Sequence, residues 1–429
     1  MKKKYRIILY TSIFLLCVVA SIILVVKKSN SVYEEESKPK VVKHKSMLSM
    51  NLEQTAGSGD YKTVTQSSWP TEGYKFNAEL SKCENGSTLS WDDTKKAVIV
   101  SGNLSDKCYV YFDIYQPTLA EYIKSQYTGT QGENNIYYHD SDLANGAGDN
   151  SYRYAGANPN NFVCFGTTES PCPIDNLYRI IGVFGENYHG VTGKQLVKLI
   201  KYDYMTTDEL GTDGDYSQTY KEWGMDSTYK GTYGDGERIG VYYWNYKATG
   251  SATNTWSTSL LNKTNLNTNF INNIGTTWAN KIATVTWKVG GNTYANISDV
   301  VPATTYQNEI VNPVTTNTTD NATTYSAKIG LMYVSDYGFA ASPDAWTLTM
   351  SSYNNTTATN NNWMYMGLYE WTISRSAGFS NFAFYVSYDG IVDNRFVNNN
   401  FGVRASFNLE SSVSYVSGSG SMSDPIVIN

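Results

Sequence analysis

The chain has 429 residues, of which 41% are hydrophobic, so it is long and apolar enough for about two or three folded domains and is not a wholly disordered protein. Only 17% of the residues are charged, whereas 14% are aromatic, and this composition lacks the basic excess with which nucleic-acid-binding proteins neutralise phosphates. The net charge is −6, but residues 1–28 hold six cations and no acid, so the remaining residues carry −12. Basic charge is therefore concentrated at the N-terminus.

The first predicted element is a membrane helix at residues 7–26. This stretch reads IILYTSIFLLCVVASIILVV, 20 residues without a charge, and a rise of about 1.5 Å per residue lets it span a hydrocarbon core of about 30 Å. A cleavable signal peptide is the alternative, but it usually has a shorter apolar region that ends at a small-x-small site. The nearest such residues, Ser29 and Ser31, follow two lysines. An uncleaved anchor is the favoured interpretation.

The cations around this helix predict its orientation. Four of them precede the apolar stretch and two follow it. Because positive flanks tend to stay in the cytoplasm, we expect a single-pass protein of the cell membrane with residues 29–429 outside. Residues 1–28 thus form a cytoplasmic stub and anchor.

The next two segments differ in composition. Residues 29–70 begin with acids and lysines and continue with Ser, Thr, Gly and Gln, which predicts a flexible stalk. Residues 71–117 contain short alternating runs such as STLSW, AVIV and CYVYFDIY between turn-forming stretches, which predicts a small antiparallel β-module.

Four cysteines follow the anchor, namely Cys83, Cys108, Cys164 and Cys172. An even number suits an oxidising compartment, and four cysteines allow three pairings. We favour Cys83 with Cys108 and Cys164 with Cys172, because each pair brackets a local hairpin or loop. A zinc site is the alternative, but the usual short spacing between ligands is absent.

Residues 118–160 are predicted to be a connector that begins with a short helix. Thr118 suits the N-cap of TLAEYIKSQY, and Glu121 stands three residues later, as in a capping box. The rest of the connector is rich in Gly and Asn.

Residues 161–429 are predicted to form one large α+β domain. LYRIIGVFG and QLVKLIKYDY have the composition of a strand pair with a longer loop, whereas residues 256–274 have near-helical spacing with Thr255 or Ser257 as a possible cap. Strands are expected in VRASFNL and in the final PIVI. Strands near both ends suggest that the ends of this domain pair.

Several phrases resemble a group of uncharacterised bacterial membrane-anchored surface proteins over residues 74–429. They are CENGSTLSWD, DKCYVYFD, NGAGDNSYRYAGANPNNFVCFG, CPIDNLYRIIGVF, WSTSLLN, IGLMYVSDYGFA and GVRASFNL. More distantly, the C-terminal part resembles the C-type-lectin-like fold of formylglycine-generating enzymes, through Gly402, Val403, Arg404 and Ala405 after Trp363 and Trp371. The resemblance implies irregular ligand-binding loops on a stable scaffold. It does not imply the enzyme, whose late cysteine pair has no counterpart after Cys172.

Residues 360–400 combine aromatic, amide and hydroxyl side chains in the manner of binding loops, and the same mixture suits stacking and hydrogen bonding to sugars. The alternative is that the aromatics are core residues and the Asn runs are solvated turns. The candidate ligand-binding residues are Trp363, Tyr365, Tyr385, Tyr388, Asp389, Asn394, Arg395, Asn398, Asn399 and Asn400.

Other residues in this region are expected to be structural. Trp371 has the setting of a core residue, and Arg404 lies in an apolar strand where a carboxylate would have to pair with it, with Glu370 and Asp336 as the available acids.

No cofactor is predicted. YDGIVDN and DGDYS cluster oxygen ligands of the kind that calcium prefers, but neither has EF-hand spacing and such turns are common. His139 and His189 are expected at loop surfaces, so the chain offers little for nucleophilic catalysis.

The sequence therefore predicts a non-catalytic, lectin-like or adhesin-like surface protein whose ligand is a carbohydrate or a surface protein. A cell-wall glycan hydrolase and a purely structural envelope protein are the alternatives.

Overall fold

The computed structural model describes residues 48–65, 68–70, 73–224, 227–313, 322–354 and 356–429. The chain divides into two compact units between Gln116 and Pro117. Among the described residues, no helix is long and apolar enough to cross a membrane. The predicted membrane helix at residues 7–26 lies outside the described residues.

The first unit is a β-module. Its strands are β1 Leu48–Glu53, β2 Tyr61–Val64, β3 Tyr74–Phe76, β4 Lys82–Cys83, β5 Thr88–Asp92, β6 Ala97–Ser101 and β7 Cys108–Ile114. The sheet runs in the order β2-β1-β7-β3, with β4 also on β7, and β5 pairs with β6.

This unit differs from the prediction in two ways. Strands β1 and β2 lie in the range predicted to be a stalk, and the pairing of β1 with β7 is parallel in a module predicted to be antiparallel. The reason is visible in LSMNLE, where Leu48, Met50 and Leu52 alternate and are buried against Val110 and Phe112. A strand that joins from outside the local hairpins has no turn that would dictate its direction.

The second unit contains the remaining strands. They are β8 Ile136–Tyr138, β9 Tyr152–Tyr154, β10 Phe162–Cys164, β11 Leu177–Phe184, β12 Leu196–Lys201, β13 Tyr216–Thr219, β14 Gly240–Tyr243, β15 Val285–Lys288, β16 Gly291–Asn292, β17 Thr324–Ala327, β18 Ile329–Gly330, β19 Glu370–Ser376, β20 Phe382–Val386, β21 Val392–Phe396, β22 Asn400–Phe401, β23 Ser406–Asn408, β24 Tyr415–Ser417 and β25 Val427–Ile428.

Helices of the second unit connect these strands. They are α1 Leu119–Ser125, α2 Glu186–His189, α3 Thr207–Leu210, α4 Tyr220–Trp223, α5 Ile271–Ala279, α6 Tyr294–Ile297, α7 Pro302–Tyr306, α8 Val334–Ala340 and α9 Thr356–Asn360. Leu261–Phe270 and Gln307–Val311 are π-helical, and short 3-10 turns occupy Glu133–Asn135, Ile174–Asn176, Trp256–Thr258, Pro343–Thr347 and Met350–Ser352. The predicted α+β class is confirmed.

The main sheet runs in the order β18-β23-β12-β11-β9-β8, with β10 also paired to β11. The predicted hairpin is confirmed, because β11 and β12 pair antiparallel. The ends of the predicted domain also pair, since Val163 of β10 forms a parallel bridge with Ile426. The beginning and the end of the predicted domain, residues 161–429, therefore meet at β10.

The described part of this unit has four smaller sheets, in the orders β16-β19-β20-β21, β13-β14-β22, β15-β17 and β24-β25. Helix α8 is buried along its whole length. The predicted capping box of α1 is confirmed, because Thr118 Oγ1 accepts from Glu121 N and Glu121 Oε2 accepts from Thr118 N. The predicted helical stretch near Trp256 is also found, but Thr255 makes no side-chain capping bond there.

The two predicted disulfides are confirmed. Cys83 on β4 faces Cys108 on β7, and Cys164 at the end of β10 pairs with Cys172 eight residues later. The second bridge closes the loop that precedes β11.

Candidate functional site

A cleft of about 520 Å³ opens beside strands β10 and β11 of the second unit. A volume of this size is typical of small-molecule sites. Its lining combines aromatic rings, amides, two cations and small apolar groups: Phe162, Tyr202, Trp363 and Tyr365; Asn158, Asn160, Asn360 and Asn362; Arg179 and Lys230; Ala157, Pro159, Met366 and Met422. Trp363 and Tyr365, two of the predicted binding residues, therefore lie at this cleft.

The wall that carries Trp363 is fixed by backbone and side-chain bonds. Trp363 N donates to Gly156 O at 2.9 Å, and its indole Nε1 donates to Tyr154 O at 2.8 Å. Asn362 Nδ2 donates to Tyr337 O of the buried helix α8 at 2.9 Å. The wall is held before any ligand arrives, which reduces the ordering cost of binding.

Arg179 forms the floor of the cleft. It stands opposite Phe162 in the pairing of β10 with β11, and its guanidinium lies 4.3 Å from the Phe162 ring centre and 4.6 Å from that of Trp363. Its Nε donates to Asn161 Oδ1 at 2.7 Å. Only 6% of Arg179 is exposed, and burial together with the nearby Arg404 lowers its pKa to about 9. Arg179 is therefore still a cation at neutral pH.

Lys230 supplies the second cation at the rim. Its backbone N donates to Met366 O at 2.9 Å, and its Nζ donates to Thr359 O at 3.1 Å and lies 4.4 Å from the centre of the Tyr365 ring. Burial of this group lowers the pKa of Lys230. Two separate bonds thus hold Lys230 against the 359–366 wall.

Arg404, predicted to be structural, supports the same wall from behind. It is buried and pairs with Glu370, one of the two acids that the sequence offered, through Nε to Oε1 at 2.8 Å and Nη2 to Oε2 at 2.9 Å. Its Nη2 also donates to Met364 O at 2.6 Å. Asp336, the other acid, pairs with Lys198 instead. Trp371 is also buried, and its Nε1 donates to Tyr242 O at 2.9 Å.

Tyr385 does not belong to an exposed binding surface, contrary to the expectation from sequence. It lies on β20 with 4% exposure and packs on Phe401 and Tyr369. The reason is that β20 is covered on both faces, so Phe384 and Val386 are buried as well. The alternation of side chains along this strand therefore does not separate a solvent-exposed face from a buried face. Trp363 and Tyr365 are also largely buried, and only part of each reaches the cleft.

The other predicted binding residues form a second surface. Tyr388 and Asp389 lie in the turn between β20 and β21, Asn394 and Arg395 lie on β21, and the Asn run follows it. Tyr388 is 36% exposed and Arg395 is exposed. Asn398 is exposed, Asn399 is partly buried, and Asn400 Nδ2 donates to Ser217 Oγ at 3.0 Å. We call Tyr388, Asp389, Asn394, Arg395, Asn398 and Asn399 the hairpin face.

One hydrogen bond joins this surface to the cleft. Tyr365 Oη donates to Tyr388 O at 2.5 Å. The structure therefore separates the predicted binding residues into a cleft group and a hairpin face that share this contact.

The prediction that His139 and His189 lie at loop surfaces is wrong, because both are buried. His139 Nδ1 accepts from Ala147 N at 3.0 Å, and its ring packs on Phe339 and Trp346. Burial lowers the pKa of His139 well below its usual value. Each histidine precedes a polar loop in sequence, and its buried ring accepts a hydrogen bond from a backbone N–H of that loop, Ala147 N for His139 and Val191 N for His189.

A second depression of about 550 Å³ is lined by residues that include Asp149, Glu186, Lys288 and Tyr306. Burial raises the pKa of Asp149, but Arg153 and Ser151 outweigh this effect and the pKa lies below its usual value. A general acid needs the opposite shift. This depression is therefore a poorer candidate for carbohydrate hydrolysis than its acids suggest.

Within the described ranges, no three His, Cys, Asp or Glu side chains gather in a way that could hold a metal ion. In YDGIVDN, Asp389 Oδ1 accepts from Ile391 N and Asp393 Oδ1 accepts from Asn394 N. Asp389 thus bonds within the turn between β20 and β21, and Asp393 bonds to the backbone of β21.

Sequence reasoning missed Arg179, Lys230, Phe162 and the amides at the cleft rim. For Arg179 a signal was present, because LYRIIGVF places an arginine inside an apolar strand in the same way as the strand that holds Arg404. The sequence around Lys230 gives no such signal. Its position at the cleft depends on hydrogen bonds to residues 359 and 366, which are far along the chain.

Comparison with protein-family models, curated proteins and solved structures finds no match to this chain.

Proposed function

We propose that this protein is a membrane-anchored extracellular binding protein whose second unit holds a carbohydrate in the cleft, without catalysing its conversion. The observation that carries the proposal is the make-up of the cleft. Exposed amides of Asn158, Asn160 and Asn360 surround the half-buried ring of Tyr202 and the rings behind it. Amides bond sugar hydroxyls and aromatic faces stack on sugar rings, so this set suits a glycan of one or two sugar units.

The chemistry of the lining favours binding over hydrolysis. Glycoside hydrolysis usually needs a pair of carboxylates on either side of the scissile bond. Among the described residues that line the cleft there is no Asp, Glu or His. The proposed role is therefore ligand binding without catalysis. The C-type-lectin-like proteins, which the C-terminal part resembles through residues 402–405, suggest the same role.

The proposed location follows from the sequence. Residues 7–26 would anchor the chain in the cell membrane as a single span, and the flanking cations would keep the N-terminus inside. The disulfides of both units suit an oxidising exterior.

A surface protein is the second candidate ligand, and the hairpin face favours it. Tyr388 and Arg395 are exposed side chains of the types enriched at protein interfaces. The two candidates use different surfaces, so matched substitutions can separate them.

The test is a binding screen of the full chain in detergent against a panel of glycans and purified envelope polymers, with and without a calcium chelator. Asn158→Ala combined with Asn360→Ala removes two exposed amides from the cleft, and the matched control, Asn394→Ala with Asn398→Ala, removes two from the hairpin face. The proposal predicts glycan binding that the cleft variant weakens by about tenfold or more and the control leaves unchanged.

The other outcomes contradict the proposal in different ways. If only the control variant, Asn394→Ala with Asn398→Ala, lost glycan binding, the binding site would lie on the hairpin face. Release of cleaved sugars from a panel member would identify a hydrolase. A panel without any binding would favour a surface-protein ligand or a structural envelope protein.

A further inference from the structure

We infer that the sugar bound in this cleft carries an anionic group, a carboxylate or a phosphate, and that Arg179 and Lys230 bind it. This inference rests on the proposed function and specifies the class of its ligand.

The first observation is that Arg179 is a buried cation for which the described residues provide no acidic partner. Within that part of the chain its donors meet neutral acceptors, namely Asn161 Oδ1 at 2.7 Å, Pro159 O at 3.1 Å and Trp363 O at 3.4 Å. No carboxylate in the described part of the chain lies within ion-pair distance of it. A guanidinium has five N–H donors, so these three bonds leave donors on a side chain that lines the cleft.

Four other buried cations of this unit each have an acidic partner among the described residues. Arg153 pairs with Asp149 at 2.8 Å, Lys198 with Asp336 at 2.7 Å and Lys201 with Glu209 at 2.8 Å, and Arg404 pairs with Glu370. A buried charge is costly unless an opposite charge or a full set of hydrogen bonds compensates it. The ion pairs meet that need within the protein, whereas Arg179 can meet it with an anion from the cleft.

The second observation is the charge of the cleft itself. The chain outside residues 1–28 carries −12, yet Arg179 and Lys230 line the cleft and no acid among the described residues joins them there. Lys230 is exposed, and its Nζ is fixed by Thr359 O and by the Tyr365 ring rather than by a carboxylate. An arginine fork and a lysine ammonium together are a common arrangement for binding carboxylates and phosphates.

The test uses matched oligosaccharides that differ only in one group: a galactose trimer, the same trimer oxidised to galacturonic acid, and the same trimer with phosphate at the 6-positions. Dissociation constants are measured with the full chain in detergent at low and high salt, alongside the neutral glycans of the panel. Lys230→Met removes the charge and keeps the apolar stem, and Lys194→Met is the control, because Lys194 is an exposed lysine outside the cleft lining.

The inference predicts that an acidic trimer binds about tenfold or more tighter than the neutral trimer and that salt weakens this preference. Lys230→Met should weaken binding of the acidic trimer by about tenfold and so remove most of the preference, whereas Lys194→Met should leave both affinities unchanged. The tighter of the two acidic trimers then identifies the anion as a carboxylate or a phosphate.

The results that would overturn it are distinguishable. Equal binding of neutral and acidic trimers would reject the anionic ligand, and an acidic preference that survives Lys230→Met would reject Lys230 as part of the anion site. Both results would leave the proposed function standing. If neither the trimers nor any panel glycan binds, the proposed function fails and this inference fails with it.

Discussion

At the scale of single residues, the second unit depends on charges that are buried in pairs. Arg404 and Glu370 are both almost fully buried, and the pair reaches Met364 in the cleft wall through Arg404 Nη2. Burial raises the pKa of Glu370, and Arg404 opposes this shift. The main role of the Glu370 carboxylate is therefore to neutralise the buried charge of Arg404.

Glu370→Gln should leave Arg404 buried with an uncompensated charge. We expect the free energy of unfolding to fall by about 3–5 kcal/mol, measured by chemical denaturation with tryptophan fluorescence. The control is Arg238→Gln, which removes an exposed pair with Asp175 and should cost about 0–1 kcal/mol. Equal losses in the two variants would show that the buried pair has no special role.

A second residue-scale prediction concerns Glu309. It is buried and accepts hydrogen bonds from Val334 N at 3.1 Å, Ser335 N at 2.9 Å and Ser374 Oγ, yet burial raises its pKa to about 7 from an ordinary 4.5. The folded state then holds this proton more tightly than the unfolded state does. The contribution of Glu309 to stability is therefore fully present below pH 4.5 and is lost as the pH rises to about 7.

The measurement is the unfolding free energy of the full chain from pH 4.5 to 8, with and without Glu309→Gln. The other titrating groups, including the buried His139, are common to both proteins, so the difference isolates Glu309. Relative to the variant, the wild-type chain should lose about 3 kcal/mol over this range. A difference that does not change with pH would contradict the raised pKa.

At the scale of elements, strand β11 is the one on which the cleft depends most. It pairs with β9, β10 and β12, and it carries Arg179. At its register shift, Gly182 lies against β9, where an added Cβ would collide with the carbonyl O of Tyr152. Close approach of two backbones at a bulge is a common reason for glycine within a strand.

Gly182→Ala should therefore push β9 away from β11 and destabilise the unit by about 1–3 kcal/mol. Gly185→Ala is the matched control three residues later, because its φ is −89° and no heavy atom lies within 4 Å of an added Cβ. Because Gly185 is the N-cap of α2, where alanine is less favourable than glycine, this variant should lose less than about 1 kcal/mol. Thermal unfolding of both variants checks the prediction, which fails if the two substitutions have the same effect.

The same elements show which features could be predicted from sequence. The capping box of α1 and the pairing of β11 with β12 depend on neighbouring residues, so local patterns suffice for them. The cleft could not be predicted, because Arg179, Lys230 and Trp363 meet only after distant segments pair. Tyr385 was misplaced for a related reason, since distant elements cover the face of β20 that alternation assigns to solvent.

At the scale of the whole molecule, we propose that one anchor holds both units outside the cell. Deletion of residues 7–26 should release the chain from the membrane fraction, whereas the full chain should stay there through a high-salt wash. Protease added to intact cells should degrade the full chain, because residues 29–429 are expected outside. Protection of the full chain from external protease would contradict the proposed topology.

The central claim is that the ligand occupies the cleft and not the hairpin face. The most direct test is hydrogen–deuterium exchange of the full chain with the glycan of the panel that binds most tightly. We expect slower exchange in residues 157–162, 228–232 and 359–366 on binding, with residues 388–400 unchanged beyond the shared contact at Tyr388. Protection centred on residues 388–400, with exchange unchanged in the cleft segments, would contradict it.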